Sequence, residues 1–206
     1  MNALILKWCV GKIHKKDKRN PGARLSNYYL HEKFRVMRKI ELVNYCDSWP
    51  IDYESEVKSL KELIKSNFIR AFHIGSTAIV GMKAKPIIDI LIEVECLSEL
   101  DIEKGNFEKK GYEAKGEYGT EGRRFFQKGI DKRTHHVHVF EAGSIEIERH
   151  RLFVEFMNSH PNKAKEYQTL KENLCSFFDK DPETYTEGKS SYIKDIDSEA
   201  YSWKHN

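Results

Sequence analysis

The chain has 206 residues, 39% hydrophobic and 33% charged, with a formal net charge of +3. Aliphatic and aromatic residues are plentiful while Gly and Pro are not, which excludes a collagen-like chain, a repeat array and a wholly disordered one. No apolar run approaches the roughly 20 residues needed to span a bilayer, and the length suits one globular domain with an appendage.

The charge is unevenly spread. Residues 1–40 hold eleven Lys and Arg against Asp17 and Glu32, a net +9, which leaves −6 for the rest of the chain. Residues 1–39 therefore read as a basic N-terminal extension. Such an arm suits contact with nucleic acid or an acidic protein, or it is a solvated tail. Within it, Leu4–Val10 and Tyr28–Met37 carry apolar patterns that could be ordered, separated by a polar, turn-like stretch ending at Pro21-Gly22. The opening Ala3–Leu6 stops at Lys7, too short for a signal-peptide core. The cysteines (Cys9, Cys46, Cys96, Cys175) are scattered with no CxxC pair, and a reduced, cytoplasmic protein without membrane attachment is expected.

Residues 40–206 read as one domain. Ile40–Tyr45 alternates like an extended entry, and Ser48-Trp49-Pro50 opens a helix whose apolar positions Val57, Leu60, Leu63 and Ile64 repeat with helical spacing to about Asn67. Ile69–Ile74 alternates with period two, a strand broken by Gly75-Ser76; a loop or short helix runs on to Lys85. Pro86–Val94 is short, apolar and β-branched, which predicts a central strand buried on both faces. Ser98 and Asp101 form an S-x-x-D capping pattern for a helix to about Lys110, stopped by Gly111. Tyr112–Ala114, Arg124–Lys128 and Thr134–Phe140 read as strands, the last two joined as a hairpin. Three helices close the chain: Glu146–Met157, Pro161–Phe178 and Gly188–Trp203. The expected class is α+β, a mixed sheet with flanking helices and a C-terminal helical cap.

The chemistry concentrates around His73-Ile74-Gly75-Ser76-Thr77-Ala78 and Asp89. A Gly-Ser pair ending a strand can present backbone N–H groups and a hydroxyl to a phosphate, because glycine permits close approach. A carboxylate on the next strand suits a divalent cation that would neutralise that phosphate. His136 and His138 lie on one face of a strand and could join Asp89 around a single cation; otherwise one packs in the core and the other bonds to a neighbouring strand. His73, beside the turn, fits an orienting role. Lys85, Arg124, Arg133, Lys171 and Lys189 are cations able to hold a polyanion, Lys171 and Lys189 having Tyr167 and Tyr185 near them in sequence.

The run from His73 through Lys85-Pro86-Ile87-Ile88-Asp89 closely resembles the signature of the GrpB family. So do Lys110-Gly111-Tyr112, Arg133-Thr134-His135-His136-Val137-His138-Val139, Tyr167 with Leu170-Lys171, Tyr185-Thr186 and Lys189. The resemblance covers about residues 40–203 and implies a nucleotidyltransferase-superfamily fold, with no established substrate. Active nucleotidyltransferases usually place a second carboxylate two residues after the first, where this chain has Leu91. Glu93 shares the Asp89 face but lies about 13 Å along the strand, too far to share a metal pair. The family's usual Phe-Arg-Asp is here Phe153-Val154-Glu155.

Two readings follow from the resemblance. One is a nucleotidyltransferase with Asp89 and His138 as catalytic groups. In it Mg2+ or another divalent cation is held by Asp89, His136 and His138, and the phosphates of a nucleotide or other phosphorylated small molecule by Gly75, Ser76, Lys85, Arg124, Arg133, Lys171 and Lys189. The other is a non-catalytic binding or helper module on that fold. A metal-dependent phosphohydrolase would use the same residues.

Overall fold

The computed structural model describes residues 39–129 and 132–206, and the expectations for the basic extension before Lys39 lie outside the described residues. Helix α1 (Ser48–Ile64) buries Trp49, Leu60, Leu63 and Ile64 along one stripe and shows Glu and Lys elsewhere. A 3-10 turn over Lys65–Asn67 leads into strand β1 (Phe68–Ile74), and a second over Ser76–Ala78 follows it. Strand β2 (Ile88–Val94) is buried throughout except at the partly exposed Asp89.

Beyond β2 come two short helices, α2 (Leu97–Ile102) and α3 (Lys104–Lys109). Strands β3 (Tyr112–Ala114), β4 (Arg123–Lys128) and β5 (His135–Glu141) complete one five-stranded sheet in the order β1-β2-β5-β4-β3. Only β2 and β5 run parallel, so the sheet is mixed and the class is α+β as expected. Helices α4 (Ile145–Ser159), α5 (Pro161–Phe178), α6 (Pro182–Glu187) and α7 (Ser190–His205) form the C-terminal cap.

The lack of alternation in β2 has a physical cause: apart from Asp89, both faces are covered. Ile88, Ile90, Ile92 and Val94 pack with α1, Leu100 and Phe107 on one side. Leu91 packs with Ile74, Phe140 and Ile147 on the other. Burying a side chain of this size contributes about 1.5–3 kcal/mol each, which makes β2 the energetic centre of the sheet. A third cluster ties α4, α5 and α7 together through Leu152, Phe153, Phe156, Tyr167, Ile196 and Ala200, and takes in Ile79 and Met82 from the segment after β1.

Several expectations need correction. The single helix from Ser98 is two short ones separated at Glu103, and Cys96 stands at the first N-cap position without a side-chain cap. The capping pattern fails because Asp101 is paired through both carboxylate oxygens with Arg124, at 2.7 and 2.8 Å. The extended segment at Ile40–Tyr45 makes only a bridge, between Val43 and Ala84. Helix α6 had no periodicity to announce it: six residues are held by Pro182 at the start and by the Asp181 side chain accepting from the Thr184 N–H at 3.1 Å. Phe177, which continues the helical spacing of Leu170 and Leu174 on α5, is nonetheless 80% exposed. Among the described residues no helix is long and apolar enough to cross a membrane.

Candidate functional site

Gly75 ends β1 with φ of +70°, and a Cβ there would stand 2.6 Å from Asp89 Oδ2. Only glycine lets the turn carry that backbone conformation and leave room for the carboxylate. Asp89 is opposite Ile74 on β1 and His136 on β5. Residues in register share a face, so Asp89, Leu91 and Glu93 lie with His136, His138 and Phe140, and across β4 with Gln127, Phe125 and Arg123.

His136 Nδ1 is 3.0 Å from Asp89 Oδ1, and His138 Nε2 is 3.9 Å from the same oxygen. Burial alone would raise the Asp89 pKa, but the two imidazoles outweigh it and hold the carboxyl well below the usual range. An ionised Asp89 only accepts hydrogen bonds, so the His136 Nδ1 carries the shared hydrogen. Arg123 Nη1 lies 3.4 Å from His138 Nδ1 and can only donate, which makes that nitrogen the acceptor and puts the His138 hydrogen on Nε2, toward Asp89. Burial pushes the His138 pKa down, in keeping with a neutral ring.

The two histidines therefore differ. Both His138 nitrogens are engaged, whereas His136 Nε2 is buried and without a hydrogen-bond partner. So is Oε1 of Gln127, the residue in register with His136 on β4. When the His136 ring is neutral, Nε2 holds the lone pair and is the nitrogen left free to accept a hydrogen bond.

A cationic side faces this dyad. Tyr167, buried on α5, has its hydroxyl against that of Ser76. One turn on, Lys171 is 2% exposed, lies 5.0 Å from the Tyr167 ring centre and donates from Nζ to the Lys83 carbonyl at 2.6 Å. Lys85, just before β2, and Lys189, between α6 and α7, have their ammonium groups 4.2 and 4.6 Å from the ring centre of the buried Tyr185. Burial, helped by Lys189 and Arg133 and opposed by Asp89, pushes Lys85 down to about 8. Burial and then Lys189 push Lys171 down to about 7.

Other expected groups fall elsewhere. Arg124 is in register with Val139 and so lies on the opposite face of the sheet, bound to Asp101; the arginine on the Asp89 face is its neighbour Arg123. His73 is in register with Ile90 and also faces away from Asp89. It stacks on Tyr53 at 4.9 Å and braces the Gly-Ser turn through Thr77 Oγ1 at 3.0 Å. Arg133 lies on the Lys85 side. Arg123 and Gln127 escaped the sequence reading; the hairpin alternation that put His136 and His138 on one face would have found them had the register been known.

The donor set does not amount to a cation site on its own. Asp89 Oδ1 takes the His136 hydrogen, Leu91 is fully buried among apolar side chains, and Glu93 is paired with Arg70 at 2.5 Å. Among the described residues no three His, Cys, Asp or Glu side chains are grouped to hold a metal ion. What the geometry offers is an oriented imidazole on the side of the sheet toward which Lys85 and Lys189 are drawn by Asp89.

The model of the GrpB protein family matches residues 39–199. The chain is 42% identical over 183 residues to the UPF0157 protein YqkA of Bacillus subtilis, a match covering 89% of this chain but 52% of that protein, so it spans about half the length of that relative. It is 33% identical to the glutamate-rich protein GrpB of Alkalihalophilus pseudofirmus, over 77% of this chain and 94% of that one. The crystal structure of the conserved protein GrpB from Enterococcus faecalis superposes with a TM-score of 0.78 at 37% identity, covering 81% of this chain and 100% of the other.

Proposed function

The chain belongs to the GrpB family, and we propose that it binds a nucleotide at the Gly75-Ser76 turn and transfers its nucleotidyl group to a small acceptor. The observation that carries this reading is the Asp89–His136 pair, 3.0 Å apart, with His136 Nε2 left buried and unpartnered. His136 is the general base. It removes the proton of an acceptor hydroxyl as that oxygen bonds to the α-phosphorus, and the bond to the leaving pyrophosphate breaks. Asp89 positions the ring and stabilises the charge it gains. Ser76 and the lysines orient the phosphates, so catalysis is mostly placement and charge complementarity.

A second reading is favoured by the burial of Leu91: a binding module on the same fold, which takes up the nucleotide without turning it over. One experiment separates them. Nucleotides that raise the melting temperature of the whole chain identify the ligand, and pyrophosphate release is then measured with candidate acceptors present. His136→Gln is expected to keep the thermal shift and lose at least 100-fold in release, in the usual range for a general base. A shift with no release in the wild type establishes the binding module. Undiminished release in His136→Gln, or no shift with any nucleotide, overturns the proposal.

A further inference from the structure

Three lysines from three different segments, Lys85 before β2, Lys171 on α5 and Lys189 between α6 and α7, meet around Tyr185 and Tyr167. None has a carboxylate within ion-pair distance among the described residues. Their ammonium groups make a single hydrogen bond there, from Lys171 Nζ to the Lys83 carbonyl. This is unusual. Partly buried cations normally stand beside anions, and polar groups without partners call for an explanation.

Here the partners are aromatic rings. A cation–π contact offsets some of the cost of burial yet leaves the N–H donors unspent, each ammonium having three. The cations also repel one another. Lys85 faces Lys189, Arg133, Asp89, Cys175 and Tyr185, while Lys171 faces Lys189, Glu172 and Tyr167. Only Asp89 and Glu172 are negative in that set, and both already have partners, Asp89 in His136 and Glu172 in Lys83 at 2.9 Å. The wall is short of negative charge.

We infer that Lys85, Lys171 and Lys189 form a cage that binds the diphosphate or triphosphate end of the ligand without a divalent cation. A carboxylate or a single phosphate would leave much of this positive charge unanswered; a chain of two or three phosphates brings three or four negative charges and many acceptors. The inference rests on the nucleotide reading above and names how the phosphates are held. It accounts for the absence of a second carboxylate, because the lysines occupy the charge-neutralising role that a metal pair would otherwise have. Anion binding also favours the charged form of Lys85 and Lys171, so it is accompanied by proton uptake near pH 8.

The test is calorimetric titration of the whole chain with inorganic pyrophosphate in EDTA, and again with Mg2+. Expected is binding in EDTA, weakened about tenfold or more in Lys85→Gln and in Lys189→Gln. Both variants keep the buried Lys171 bond to Lys83, and their ligand-free melting curves report whether they fold. Repeating the titration at pH 8 in two buffers of different ionisation enthalpy should show proton uptake. Binding that requires Mg2+, or affinity unchanged in both lysine variants, overturns the cage. The outcomes stay separable: nucleotide turnover with no pyrophosphate binding in EDTA removes the cage and leaves the transferase, whereas pyrophosphate binding in EDTA with no turnover does the reverse.

Discussion

Gly75 turns the chain at φ +70° with its α-carbon hydrogen directed at the Asp89 carboxylate, and a methyl group there would sit 2.6 Å from Oδ2. Gly81 also has positive φ, at +75°, but open space where its Cβ would go. Gly75 also has ψ of −168°, a backbone region essentially closed to residues with a Cβ, so a substitution there meets added strain as well as the clash. Gly81→Ala should cost about 1 kcal/mol from strain alone, and Gly75→Ala about 1–3 kcal/mol more, because either the turn or Asp89 must move. Urea denaturation midpoints measure the difference. The nitrogen shifts of the His136 ring should change in Gly75→Ala and not in Gly81→Ala; equal costs would mean that the turn and Asp89 both yield freely. At this scale the glycine, the serine and Asp89 were legible, since a Gly-Ser turn before a carboxylate is a local pattern. The division of labour between the histidines was not. It depends on Arg123 reaching His138 from another strand, and no spacing in the sequence encodes that contact.

Elements were legible where hydrophobic period alone decides them. Strand β2 and helices α4, α5 and α7 emerge near their expected limits, because each buries a long apolar stripe. The helix expected after Ser98 is interrupted at Glu103, and the carboxylate expected to cap it is bound instead by Arg124, 23 residues away along the chain. Helix α6 is too short to show a period. Which arginine of β4 faces Asp89 was not legible for a related reason: Arg123 and Arg124 are neighbours of equal chemistry, and only the pairing with β5 tells them apart. Strand β2 carries its own test. The position that would hold a second metal carboxylate is Leu91, fully buried with Ile74, Phe140 and Ile147. Leu91→Asp would bury an unpaired charge there and should destabilise by about 3–5 kcal/mol at pH 7. Lowering the pH to 5 should restore part of this by protonating the new acid, and Mn2+ should not. Rescue by Mn2+ would mean that the strand face can open into a metal site.

Over the whole molecule His73, His150, Asp89, Lys85 and Lys171 bias stability in one direction. His73, on the α1 side of the sheet, and His150, on the α4 side, are both pushed down to about 4 by burial. Below their ordinary pKa near 6.5 the unfolded chain binds protons that the folded chain refuses, so stability falls as pH drops from about 6.5 to 4. Asp89 extends the loss to lower pH, since its depressed pKa contributes stability that vanishes once it is protonated. Lys85 and Lys171, pushed down to about 8 and about 7, act with the same sign on the alkaline side: between those values and the usual 10.5 the unfolded chain again holds more protons, and stability rises with pH. The opposing limb comes from Tyr112, Tyr167 and Tyr185, raised by burial, which stay protonated in the folded state and make unfolding easier once unfolded tyrosines ionise near pH 10. The ligand-free chain should therefore be most stable near pH 9, above the pH 5–8 common for globular proteins. Urea midpoints from pH 5 to 10 trace this curve. His150→Gln should flatten the acid limb, in which His150 alone accounts for up to about 3 kcal/mol between pH 7 and 4. Pyrophosphate should flatten the rise between pH 7 and 9, because an anion in the lysine cage lets the folded state keep the protons it otherwise gives up. A midpoint independent of pH between 5 and 7 would show that the two half-buried histidines accept protons without cost.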